Sequence, residues 1–203
     1  MNTRSIRAAF ALVLALAPAA LVAQEPAPAA AAPSAASVSG LRGDVLWQLS
    51  DVEKKLVSLA EATPQEKFSW RPAPGVRSIS EVYMHITGGN YFLPTFVGQK
   101  PPEGLSRDME KTVTEKAKVV DAMKKSFDHA RKAVQATPDA DLDKKIKLFG
   151  QDSTQRMVLL LLMNHSHEHL GQAIAYARTN GIRPPWSEET PSAPAPEKKP
   201  ATK

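Results

Sequence analysis

Residues 164–172 read Asn-His-Ser-His-Glu-His-Leu-Gly-Gln, which places His165 and His169 four positions apart in a stretch patterned as a helix. Side chains at i and i+4 lie one above the other on a helix face, so both imidazoles can reach a single metal ion. His85 stands about eighty residues upstream in a separate helical stretch, where tertiary packing can bring it to the same point. Three neutral imidazoles on a divalent cation leave coordination positions open to water or substrate. That is the arrangement of a reactive site and not of a closed structural one. The zinc-peptidase motif, with glutamate directly after its first histidine, is absent because Ser166 stands there.

The neighbours of this stripe carry more than one reading. His167 points roughly opposite the pair and reads as rim or surface, and His129, in a lysine-rich helix, reads as surface. Gln172 returns to nearly the angular position of His165. It either hydrogen-bonds a ligand's second nitrogen or a bound water, or simply packs between helices. Glu168 is either a general base for an activated water or a solvated carboxylate. Gly171 is expected to let a neighbouring helix approach the metal turn closely. Tyr83, Asn90, Tyr91 and Trp70 either line a pocket or belong to the core.

Helices joined by breakers must position these groups. Leu41, Val45, Leu49, Val52, Leu56 and Leu59 form one apolar stripe that ends near Thr63-Pro64. A second run opens at the capping box Ser78-Ile79-Ser80-Glu81, carries Ile79, Val82, Ile86, Phe92 and Leu93 on its apolar face, and stops at Pro94. A third, residues 107–136, repeats Val113, Ala117, Val120, Phe127 and Val134 as far as Thr137-Pro138. The fourth opens at a cap within residues 152–155 and closes at Asn180-Gly181. Residues 158–163 are apolar on every side, so this helix is expected at the centre of the bundle with its histidines deep inside. Residues 145–149 form either a short strand or a linker. The fold class that follows is all-α, a four-helix bundle of up-and-down type.

The order and spacing of these residues resemble the DinB-like superfamily of metal-binding four-helix bundles. The likeness is carried by His85 within Tyr83-Met84-His85-Ile86, by Asn164-His165-x-x-x-His169-x-Gly171-Gln172, and by the loop at residues 68–75 leading to Ser78-Ile79. It implies a divalent metal, zinc or nickel foremost with iron or manganese as alternatives, on His85, His165 and His169. It also implies a metal-dependent hydrolase or thiol-dependent transferase, with a non-catalytic metal-binding or envelope interaction module as the alternative, and pairing of bundles into a homodimer. Catalytic residues stay unassigned beyond Glu168 and Gln172 as candidates. One departure is Leu170, where the family commonly carries arginine.

The ends bear on location. Residues 1–23 combine Arg4 and Arg7, an apolar stretch and a small-residue site before Gln24, which reads as a signal peptide for a periplasmic or secreted protein. A membrane anchor is the competing reading, but the apolar stretch is well short of the roughly twenty residues that a spanning helix needs. Residues 24–39 form an Ala/Pro-rich linker, 40–186 the bundle, and 187–203 a Pro/Lys-rich tail without enough apolar surface to order. The chain has no cysteine, which excludes disulfides, thiolate ligands and cysteine nucleophiles. Its formal charge of +5 includes Arg4 and Arg7, and the lysines spread along helix faces as a solvated surface, so no nucleic-acid partner is expected.

Overall fold

The computed structural model describes residues 39–106 and 108–187. The residues read from the sequence as signal peptide, linker and tail lie outside the described residues, apart from Ser39 and Ser187. Four long helices make the bundle: α1 (Gly40–Ala62), α2 (Ile79–Phe92), α4 (Lys116–Ala136) and α5 (Gln155–Thr179). A one-turn helix α3 (Met109–Thr112) precedes α4, and an antiparallel hairpin of β1 (Lys145–Leu148) and β2 (Gln151–Thr154) precedes α5. Among the described residues no helix is long and apolar enough to cross a membrane.

Local chemistry sets the ends of the helices. Ser78 accepts from the backbone N–H of Glu81, and the Glu81 carboxylate accepts from the Ser78 N–H at 2.7 Å, completing the capping box that opens α2. Thr154 caps α5 in the same way, accepting from Met157. At the other ends, Thr63 and Thr137 turn extended, each directly before a proline, and Gly181 takes a left-handed φ of +73° after α5.

Helix α1 packs on α4 and α5, and so does α2, so α1 and α2 occupy opposite corners. Two of the chain's connections between long helices therefore cross a diagonal, α1 to α2 and α4 to α5. This departs from an up-and-down order, in which successive helices are neighbours. Long connections make it feasible. The first is pinned where Ile79 and Ser80 donate back to the carbonyls of Trp70 and Phe68 at 3.0 and 2.9 Å, with Phe68 sunk in the core.

Three expectations are corrected. The third helical run breaks at Val113, whose extended φ and ψ of −95° and 97° separate α3 from α4. Residues 158–163 are not wholly enclosed: Val158, Leu159 and Leu162 are buried, while Leu160, Leu161 and Met163 are only partly so. His129 is buried, because the α4 face that carries it meets α2 and the Tyr91 ring stacks on it at 5.2 Å. Burial holds that imidazole below the ordinary histidine pKa.

Candidate metal centre

Adjacent corners of the bundle supply the site. Helix α2 presents His85, and one turn-pair of α5 presents His165 and His169. One ring nitrogen from each of the three lies within 4.8 Å of the others. The ring centroids are 4.7 to 5.0 Å apart. The cluster is not deep in the bundle as the all-apolar stretch of α5 implied. Its rings are partly buried, with the His85 side chain 28% exposed, beside a cavity open to solvent.

Two of the rings are held by oxygen acceptors. His85 Nδ1 donates to Glu110 Oε2 at 3.0 Å, and Arg77 Nε donates to Glu110 Oε1 at 2.7 Å, so the carboxylate sits between them. His169 Nδ1 donates to Gln172 Oε1 at 2.8 Å, and Gln172 Nε2 donates to the Tyr176 hydroxyl at 3.0 Å. A hydrogen on Nδ1 leaves Nε2 with its lone pair, the tautomer a metal ligand needs. Tyr176 in turn meets Trp70 edge-on at 5.4 Å, which ties the first connection to this network.

His165 is set differently. Its Nδ1 is buried and has no hydrogen-bond partner. Its ring lies against Gly89 of α2: a Cβ on that glycine would stand 2.3 Å from His165 Cε1 and 2.7 Å from Nδ1. The bare backbone of Gly89 is thus the space the imidazole occupies. A nitrogen donor set from three convergent rings, one of them with an orphaned buried nitrogen, fits a divalent ion.

The sequence profile of the DinB superfamily matches residues 48–173, from the first helix through both histidines of α5. The chain belongs to the DinB superfamily. Solved structures carry the same fold. A DinB-like protein from Bacillus cereus is 23% identical with a TM-score of 0.62, the match covering 71% of this chain and 95% of that one. A DinB-like protein from Bacillus subtilis is 22% identical with a TM-score of 0.56, covering 73% and 95%. No curated protein sequence matches the chain. The superfamily is metal-binding, and in this member the three histidines stand together.

Other residues singled out from the sequence fall into place around this DinB centre. His167 turns away from the cluster and donates from Nδ1 to the Met163 carbonyl at 3.0 Å. Glu168 is exposed. Leu170 is buried in the core. Gly171 admits no neighbouring helix, since a Cβ there would meet nothing within 4 Å; the close approach occurs at Gly89 instead. Tyr83 and Asn90 are core residues, and Tyr91 is buried against His129. Glu110 had no local signal. It lies on a peripheral turn, and only the tertiary fold puts it beside His85.

The electrostatics favour the neutral form of His165 and His85. Burial, followed by the neighbouring His169 and His85 rings and Arg77, pulls the His165 pKa down to about 4. Burial also lowers His85, against the opposing pull of Glu110. For Glu110, burial alone would raise the carboxyl, but its bonds to Arg77 and His85 outweigh it and hold the group below the usual range.

A pH dependence follows for this DinB protein without metal. Between about pH 6.5 and pH 4 the unfolded chain protonates His165 while the folded chain does not, so the unfolded state binds more protons and stability falls as pH falls through that window. Thermal melts in chelator should show the loss, and His165→Gln should make it shallower, leaving the share of His85 and His129. An unchanged slope in that variant would place the dependence elsewhere.

Proposed function

We propose that this chain is an exported metal-dependent enzyme acting on a small molecule, with His85, His165 and His169 holding a divalent ion. The observation that carries the reading is the convergence of three ring nitrogens at the edge of an open cavity. Three protein ligands leave room for an exogenous one, which a closed four-ligand structural site does not. Zinc or nickel suits an imidazole set, with iron or manganese as alternatives. Such an ion supplies Lewis acidity, lowering the pKa of a water or thiol bound to it.

The chain's own residues do the positioning. Glu110 fixes the His85 ring and is itself clamped by Arg77, so that its carboxylate stays ionised and committed. That commitment makes Glu110 a poor proton acceptor for a nucleophile. Gln172 fixes His169 and is anchored on Tyr176, an orienting part in place of a catalytic one. Glu168, exposed on α5, is left as the candidate to take a proton through solvent. The thiol-dependent form of the reaction comes from the family alone. Export rests on the leader-like pattern of residues 1–23, and mass analysis of the purified protein should find a chain beginning near Gln24.

The test is access to the metal. Azide or a small thiol titrated into cobalt-substituted protein should change its visible spectrum. Metal-dependent turnover should then appear among hydrolysable esters and amides, or electrophiles offered with thiols, and vanish in His169→Ala. A spectrum that does not respond would mean a closed shell. The chain would then be a non-catalytic metal-binding module whose ion only stabilises the bundle.

A further inference from the structure

The cavity beside the histidines has a chemistry of its own. It holds about 360 Å³ and runs from His85 and His165 out to the surface between α2, α5 and the hairpin. Met84, Phe92, Leu93, Met109, Phe149 and Leu161 form its apolar lining. Among the described lining residues Glu110 is the one charged side chain, and both of its oxygens are engaged, one by Arg77 and one by His85. Away from the histidines, a charge brought onto these apolar walls would find no free countercharge among the described residues, and its desolvation would go uncompensated. An apolar body would lose nothing.

The mouth is built from side chains that no core requires. Phe92 and Phe149 are 52% and 60% exposed, and with Phe96 they form a three-ring cluster with centroids 5.4 to 6.2 Å apart. Phe149 occupies the first position of the two-residue turn between β1 and β2, with a left-handed φ of +50° ahead of Gly150 at +82°. Such a turn favours Asn-Gly, and a bulky residue is strained in that conformation. The hairpin therefore carries strain that sets an aromatic ring over the cavity entrance. Leu161, on the helix that carries the ligands, is likewise held only partly buried by the same opening.

We propose that this cavity is the subsite for the apolar body of the substrate, and that this body is uncharged, one aromatic ring or an alkyl group of similar size. A cavity of about 150 Å³ already accepts benzene, so this one has room for a ring and a short chain. The inference rests on the enzymatic reading above, in that it places the substrate's polar atom toward the histidines. The binding itself requires no metal.

Benzyl alcohol and benzoate, alike in size but neutral and anionic respectively, are the probes. With methionine methyls labelled, benzyl alcohol titrated into metal-free protein should shift Met84 and Met109, and benzoate should bind about tenfold more weakly or not at all. Phe149→Asn should weaken benzyl alcohol severalfold while leaving the melting temperature unchanged or raised, since asparagine suits the turn. Loss of binding with unchanged or improved stability is a result that mere packing of the hairpin would not give. Absent methyl shifts, equal binding of benzoate, or unaltered binding in Phe149→Asn would each overturn the proposal. If benzyl alcohol binds as expected but cobalt-loaded protein does not respond to azide, the subsite stands and the enzymatic reading fails.

Discussion

Alanine at any one of His85, His165 or His169 should reduce bound divalent metal from about one equivalent per chain to background, whereas His167→Ala should keep it. The expectation comes from the shared geometry. The three rings converge within 4.8 Å, so each removes about a third of a single coordination shell, while the His167 ring is turned to a backbone carbonyl of its own helix. Elemental analysis after desalting, with thermal melts before and after chelator, reads the result directly. The three variants should melt like the chelated parent and gain nothing from added metal. Full occupancy in His85→Ala would break the three-ring site and leave a two-histidine clip on α5.

Gly89→Ala should be almost as damaging to metal binding, although it touches no ligand chemically. The added methyl would stand 2.3 Å from His165 Cε1, and ordinary contact begins near 3.4 Å, so the ring must move by roughly 1 Å. A ligand displaced that far should cost about 10- to 100-fold in metal affinity, the range seen when a ligand's supporting group is lost. Global stability should change little, because alanine's better helix propensity, about 1 kcal/mol, offsets part of an overpacking cost of about 1–3 kcal/mol. Gly88→Ala is the control. Its methyl would meet only the end of Met109 at 3.4 Å, so metal affinity should hold while helix propensity favours the fold. Competition against a coloured chelator separates the two variants, and equal affinity in both would show that Gly89 does not set the position of His165.

The contrast between these two glycines shows where sequence reasoning reached and where it stopped. Helix ends were legible because their signals are local: Ser78 and Glu81 are three residues apart, and Thr63, Thr137 and Gly181 act on their own turn. The pairing of His165 with His169 was legible for the same reason, being one helical turn. Gly89, by contrast, reads in the sequence as a small penalty inside a helix, and Glu110 as one carboxylate in a polar stretch. Their roles exist only across the bundle, where α2 meets α5 and where α3 folds back onto His85. Gly171 was misjudged by the same blindness, since its position beside the histidines says nothing about which helix lies opposite. The hairpin was half visible. Residues 145–149 read as either a strand or a linker, and β2 was hidden by the cap of α5 that follows it without a gap.

The chain contains no cysteine, yet its candidate ligands join α2 to α5 across a span of about eighty residues. A metal ion shared by these two helices is topologically a staple, the counterpart of a disulfide that would close a long loop. Unlike a disulfide it is absent from the unfolded chain, so its contribution scales with free metal, about 2.7 kcal/mol when the ion is a hundredfold above its dissociation constant. Acid and chelators open it, while oxidants and reductants acting on disulfides find nothing to act on. With an ion bound there, the bundle's resistance to unfolding would follow the metal and acidity of its surroundings, and the chain has no disulfide of its own for oxidants or reductants to change.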